Sequence, residues 1–176
     1  FGSIRAFEEL EQVVRGFHKA DVPRKKLIIS AMVTPYKQNL RKRLYETRFH
    51  FSPNIQCYFE KIPADDVQVL MNAADIVIIP RVQVLNSANI QLGFGFGKVV
   101  VGPDDGVVGE ILRTTGNPVF HPNEPDSVAQ AIESALQLNK EGVGEQNRLY
   151  AQANWDWDII AAKHVDFFSR VLFGAR

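Results

Sequence analysis

Four short runs dominated by apolar residues constrain what this chain can fold into more than any other feature. They are Lys26-Leu-Ile-Ile-Ser-Ala-Met32, Ile55-Gln-Cys-Tyr-Phe59, Asp75-Ile-Val-Ile-Ile-Pro80 and Val99-Val-Val101. A strand with one solvated face alternates apolar and polar residues, whereas a strand covered on both faces reads as a nearly continuous apolar run. The segments between these runs carry helical spacing instead. Phe7, Leu10, Val13, Val14 and Phe17 predict an amphipathic helix over Ala6–Ala20. Tyr36–Phe49 reads as a second helix, opened by Thr34-Pro35, and Pro63 starts a third that carries Val67, Leu70 and Met71. Ser87–Phe96 and Gly106–Arg113 are further helices, and Pro118-Val-Phe120 is a short strand. Asn123 is the expected N-cap of a helix carrying Val128, Ile132, Ala135 and Leu138. A final helix over about 155–172 places Trp157, Ile160, Ala161, Val165, Phe168 and Leu172 on one face. Apolar strands alternating with helices imply an α/β fold, a Rossmann-like parallel sheet with helices on both faces.

The 176 residues suit one domain, expected to span 1–176. Phe1-Gly2 reads as the end of a strand whose earlier residues are missing, as in a domain excised from a longer protein. Twenty basic and 20 acidic side chains leave no net charge, so no nucleic-acid partner is expected. No apolar run reaches the roughly 20 residues of a transmembrane helix, and Phe1–Leu10 lacks the pattern of a signal peptide. The one cysteine, Cys57, excludes an internal disulfide and a cysteine-built zinc site. It is expected to be buried, and its solitude fits a cytoplasmic protein.

In a sheet of this kind ligands bind beyond the carboxyl ends of the strands. The segment after the Asp75–Pro80 strand is the most informative there. Asn86-Ser-Ala-Asn89 opens a helix whose unpaired amides and positive dipole end suit an anion, with the Ser87 hydroxyl adding a hydrogen bond. Ser87 can equally be a plain helix cap. Arg5, in the first strand-to-helix loop, either grips a phosphate or pairs with Glu8 or Glu9. Gly93-Phe-Gly-Phe-Gly97 falls late in a helix rather than in a strand-to-helix turn, so it ends or packs that helix and is not a dinucleotide fingerprint. Asp104, Asp105 and Glu110 lack the spacing of a metal cage, and His18, His50, His121 and His164 are scattered, so no metal site is expected. Trp155 and Trp157 are read as packing anchors.

Several stretches together resemble the C-terminal domain of retaining glycosyltransferases of the GT-B fold, the group 1 or family 4 class. Phe1-Gly-Ser-Ile-Arg5 resembles that family's opening strand end, with its arginine directed at the donor diphosphate. Leu70-Met-Asn-Ala-Ala-Asp-Ile-Val-Ile-Ile-Pro80 is similar to its helix, Ala-Asp turn and apolar strand. Gly97-Lys-Val-Val-Val-Gly-Pro103, Glu110 and the Asn154-Trp-Asp156 step continue the likeness. The chain also departs from the pattern. The family's two glutamates would fall at Val84 and Leu92, and its phosphate-binding lysine is lost, with Glu8 near the expected position. Asn86-Ser-Ala-Asn89 looks like the Thr-Ser-Gly-Ser-like turn of a subset of the family.

The resemblance implies transfer of a hexose-type sugar from a nucleotide-diphosphate donor to an acceptor with retention, without a cofactor or bound metal. It implies donor binding by Arg5 and by Asn86, Ser87, Ala88 and Asn89 at the diphosphate. Lys61 and Ile62 would lie at the base, and Leu92 and Glu110 near the sugar or ribose. The acceptor, a glycan or lipid-linked sugar, would be held mainly by a separate N-terminal domain, so this chain alone would bind donor weakly and catalyse nothing. Two other readings stay open: a degenerate, non-catalytic module that binds a nucleotide sugar or a partner, and half of a GT-B-type nucleotide-sugar epimerase.

Overall fold

A computed structural model of the chain describes residues 3–4, 7–30, 32–33, 44, 47, 49, 52–60, 62–82 and 87–174. Strand β1 (Ser3–Ile4) leads to helix α1 (Phe7–Lys19), and the apolar run that follows forms β2 (Leu27–Ser30) and β3 (Met32–Val33). Of the helix expected over Tyr36–Phe49, Leu44, Thr47 and Phe49 are helical, and its first half lies outside the described residues. Then come β4 (Ile55–Tyr58), α2 (Ala64–Ala73), β5 (Ile76–Ile78), α3 (Ala88–Gly95), β6 (Val99–Pro103) and α4 (Gly106–Thr114). The chain continues through β7 (Val119–Phe120), α5 (Pro125–Lys140), α6 (Val143–Trp155) and α7 (Trp157–Phe173).

Among the described residues every strand pairing is parallel. β1 pairs with β3, β2 with β4, and β6 lies between β5 and β7. All five residues of β6 are buried, and its side chains divide by the two-residue period of a strand. Val99 and Val101 join the cluster built from Leu10, Val14 and Phe17 of α1 and Val128, Ile132 and Ala135 of α5. Val100 points the other way, into Ile90 and Phe94 of α3, Val108 and Leu112 of α4, and Ala151 of α6. Each fully buried valine contributes about 1.5–3 kcal/mol of transfer free energy. This two-sided burial is the expected parallel α/β layering.

The glycine-rich segment behaves as its position in the sequence implies. Gly97 takes a left-handed φ of 65°. Its N–H bonds the Phe94 carbonyl at 2.8 Å and the Lys98 N–H bonds the Gly93 carbonyl at 2.9 Å, the paired bonds of a Schellman C-cap. Within α3, Gly93 lets the helix approach the sheet. A Cβ there would stand 2.6 Å from Val100 Cγ2.

Helix α6 was not visible in the hydrophobic pattern, because its buried stripe is Gly144, Asn147 and Ala151 rather than large apolar residues. Its anchor is polar. Asn117 and Asn147 are almost fully buried and exchange two side-chain amide hydrogen bonds, at 2.8 and 2.9 Å. Asn117 Oδ1 also accepts from Val100 N at 3.0 Å, and Asn147 Nδ2 donates to the Lys98 carbonyl at 3.0 Å. β7 pairs with β6 only at Gly102 and Pro103, so the Asn117 amide serves the backbone of β6 before that strand partner begins. Aromatic packing completes the joint, with Trp155 stacked on Phe94 at 5.6 Å between ring centroids.

Several expectations need correction. Asn123 is not the cap of α5: it sits at a left-handed φ of 67°, Glu124 is the cap residue, and Pro125 supplies the preset φ of the first turn. The final helix begins at Trp157, because Asp156 is extended and its carboxylate accepts from Asp158 N at 2.9 Å. Trp155 therefore closes α6 and packs, while Trp157 is 82% exposed and anchors nothing. No residue of α7 is buried, so its apolar face, with Val165, Phe168 and Leu172, is open rather than turned to the core. Cys57 is half-buried instead of buried.

The amide pair generates a stability prediction. Asn147→Ala strips the Lys98 carbonyl of its side-chain donor and removes both bonds to Asn117, whose amide keeps Thr115 and Val100, and should cost about 2–3 kcal/mol. In urea unfolding, the Asn117→Ala/Asn147→Ala double variant should lose clearly less than the sum of the single losses, because both remove one shared network.

Candidate functional site

The carboxyl ends of β5, β6 and β7 share one edge of a parallel sheet, and the chain leaving β5 and β6 was among the expected ligand-binding loops. After β5, Ser87 is the cap of α3. Its backbone is extended, at φ −144° and ψ 116°, and its Oγ accepts from Asn89 N at 3.3 Å. The capping reading of Ser87 thus holds. A hydroxyl that accepts one bond still carries a proton to donate, so the cap leaves a donor at the helix N-terminus. Ala88 is exposed and Asn89 half-buried in the first turn. Leu92 lies half-buried one turn on, and Asn86 falls outside the described residues.

After β6, Asp104 forms an ion pair with Arg113 of α4, and Asp105 precedes that helix. The Asp104 carboxylate is thereby committed to a cation of its own helix pair. Glu110 is exposed on α4. Among the described residues no cluster of three His, Cys, Asp or Glu side chains could hold a metal ion.

Beyond β4 lies a cleft of about 540 Å³ lined by Cys57, Tyr58, Phe59, Glu60, Ile62, Pro63, Asp66, Val69 and Leu70. It mixes aromatic and aliphatic walls with a few polar groups, the composition of a small-molecule pocket. Ile62 belongs to it, while its neighbour Lys61 lies outside the described residues. A second groove, of about 480 Å³, follows β7 and is more polar, with His121, Glu124, Asp126 and Ser127 on its wall. Arg5 also lies outside the described residues. Lys98 stands at the amino end of β6, where its Nζ donates to the Asn72 carbonyl at 3.3 Å. It therefore faces away from the edge where ligands bind.

Two side chains of α1 reach this edge: Gln12, which sequence reasoning did not single out, and Glu9, which it named only as a partner for Arg5. Glu9 Oε1 accepts from Val82 N at 3.1 Å. Gln12, 7% exposed, donates from Nε2 to the Pro80 carbonyl at 3.3 Å and accepts at Oε1 from Asn123 N at 2.9 Å. A glutamine set among Leu10, Val13 and Val14 on a buried helix face was the available signal. Elsewhere, Arg148 hydrogen-bonds Glu145 on α6 and holds its carboxyl below the usual carboxylate range. Glu145 is exposed and Arg148 half-buried, so this is a surface pair.

No protein-family sequence profile matches the chain, and no curated protein matches it by sequence. Solved structures do. A sucrose-phosphate synthase from Thermosynechococcus elongatus superposes with a TM-score of 0.76 at 16% identity, over 96% of this chain and 43% of that protein. AviGT4, a glycosyltransferase involved in avilamycin A biosynthesis, gives 0.70 at 17% identity, over 99% of this chain and 51% of that one. A UDP-forming α,α-trehalose-phosphate synthase from Burkholderia vietnamiensis gives 0.62 at 16% identity, over 90% of this chain and 40% of that one. The chain therefore has the fold of one half of a GT-B glycosyltransferase and spans about half, or less, of the length of these proteins.

The capping geometry predicts that Ser87→Ala lowers stability by about 1 kcal/mol, whereas Ser87→Asp, which retains a cap oxygen, leaves it nearly unchanged. Thermal unfolding of the two variants checks this.

Proposed function

We propose that this chain is the sugar-nucleotide-binding half of a two-domain glycosyltransferase, residues 1–176 forming the donor domain. The carrying observation is the match, over at least 90% of the chain, to one half of each of three sugar-transferring or sugar-phosphate-forming enzymes. The local chemistry supports it. The N-terminus of α3 offers backbone amides, a positive dipole end and the Ser87 hydroxyl proton to a diphosphate. Arg5 and the Asn86–Asn89 turn are assigned to that diphosphate. The cleft beyond β4 suits a flat heterocycle against Tyr58, Phe59 and Ile62, which assigns the base to the Lys61–Ile62 segment. Leu92 and Glu110 are assigned to the neighbourhood of the sugar or ribose.

Transfer with retention from such a donor leaves a nucleoside diphosphate. The protein's contribution is to stabilise the charge that develops on the leaving oxygen with fixed N–H dipoles and a guanidinium. The acceptor, a glycan or lipid-linked sugar, belongs mainly to the partner domain of the proposed two-domain enzyme. This chain by itself binds donor and does not turn it over. A cytoplasmic site of action is part of the same proposal. Among the described residues no helix is long and apolar enough to cross a membrane.

One specific set of residues favours a second reading, a non-catalytic nucleotide-sugar or partner-binding module. Val84 and Leu92 stand where the resembled family carries glutamates, and Glu8 stands near its phosphate-binding lysine. Each charge-assisted bond lost to a diphosphate weakens it by roughly 1.5–3 kcal/mol.

Calorimetric titration with UDP-glucose, GDP-mannose, ADP-glucose and dTDP-glucose tests the proposal. Saturable binding of one of them is expected, with a dissociation constant near a millimolar (about −4 kcal/mol). Ser87→Asp, folded and capped but carrying a carboxylate at the anion site, should abolish that binding. Failure of all four to bind would remove the donor reading and leave the non-catalytic module only in its partner-binding form. Equal binding by Ser87→Asp would place the diphosphate elsewhere.

A further inference from the structure

Three polar side chains are buried among the described residues: Asn117, Asn147 and Gln12. The asparagines satisfy each other and the backbone of β6. Gln12 has a different geometry. Both ends of its amide are spent on backbone groups of two separate connections, 68 residues downstream at Pro80 and 111 residues downstream at Asn123. Pro80 follows β5, and Asn123 follows β7, so one side chain spans the carboxyl ends of strands that flank β6. One turn earlier on the same helix, Glu9 takes the N–H of Val82, two residues beyond Pro80. The helix carrying both is fixed from below by Leu10, Val13, Val14 and Phe17.

Among the described residues no backbone group pairs the Pro80 carbonyl or the Asn123 N–H. Asn123 sits at a left-handed φ of 67°, which directs its N–H out of the local turn and toward Gln12. A leucine of similar size would pack equally well against Val13 and its neighbours. It would take from the partly buried Pro80 carbonyl and Asn123 N–H the partner they have now, so the amide is there for what it holds.

We propose that Gln12, seconded by Glu9, is a positioning residue that sets the chain leaving β5 in register with the chain leaving β7. It thereby fixes where α3 presents its N-terminus. The consequence for ligand binding rests on the donor reading given above; the coupling of the two connections does not. Gln12 touches no ligand in this account and acts only through the backbone at Pro80 and Asn123.

Backbone amide exchange of the uncomplexed chain, read by NMR, tests the coupling. In Gln12→Leu, exchange at Asn123 and Val82 should accelerate at least tenfold while Val100, bonded to Asn117 inside the sheet, keeps its protection. In Gln12→Glu, which retains an acceptor but loses the donor, Asn123 should stay protected and Val82 should still accelerate. That split distinguishes a two-armed clamp from general loosening, which would move Val100 as well. Unchanged exchange at Asn123 and Val82 in Gln12→Leu overturns the inference, and so does acceleration that includes Val100. The sugar nucleotide that binds the wild-type chain should bind Gln12→Leu about tenfold more weakly. Equal affinity despite the accelerated exchange would overturn the positioning role. If no sugar nucleotide binds the wild-type chain, the donor reading fails, and the exchange data alone decide the coupling.

Discussion

The packing of β6 on both faces is the constraint on which the rest of this structure depends. Val99 and Val101 close one hydrophobic layer with α1 and α5, and Val100 closes the other with α3, α4 and α6. A strand buried in this way must have its backbone paired on both sides, because an unpaired buried amide costs about as much as a lost hydrogen bond. β5 and β7 supply most of that pairing, and the Asn117 side chain supplies it where β7 has not yet begun. From this follows the position of everything functional. Parallel strands deliver their connections to one edge, and α3, α4 and α5, which follow β5, β6 and β7, begin there.

That edge is organised by side chains that act on backbone. Ser87 holds the first turn of α3, Glu9 and Gln12 hold the chain after β5, and Gln12 also holds the chain after β7. Such an arrangement suits a site that works through fixed N–H dipoles rather than through a titrating side chain. Preorganised dipoles do no reorganisation work when charge develops on a bound phosphate. The acids nearest the edge are in part already committed, Asp104 to Arg113 and Glu9 to Val82.

The fold was legible in the sequence because parallel strands advertise themselves as unbroken apolar runs, and Gly97 because only its place before a strand made it a helix end. What was not legible depended on features without a hydrophobic signature. Helix α6 buries Gly144, Asn147 and Ala151, a stripe with no apolar period. The cap of α5 went to Glu124 instead of Asn123 because Asn123 is occupied with a left-handed bend whose N–H answers to Gln12, 111 residues away. A long-range hydrogen bond of that kind leaves no mark in a local window. The apolar face of α7 was legible as a face but not as an exposed one, since periodicity reports which side of a helix is apolar and not what covers it. Of the expected site, Ile62 lines the cleft beyond β4 and Ser87 caps α3. Arg5 and Asn86 were singled out by their place in strand-to-helix loops and Lys61 only through family resemblance, and all three lie outside the described residues.

The central claim is that a nucleotide sugar lies along this edge with its diphosphate at α3 and its base beyond β4. A backbone amide shift map, recorded while the sugar nucleotide is added, tests that most directly. The account predicts the largest saturating shifts at Ala88 and Asn89 together with Tyr58–Glu60 and Ile62, and little change at His121, Glu124 and Ser127. Shifts confined to the groove after β7, or spread evenly over the surface, would contradict it.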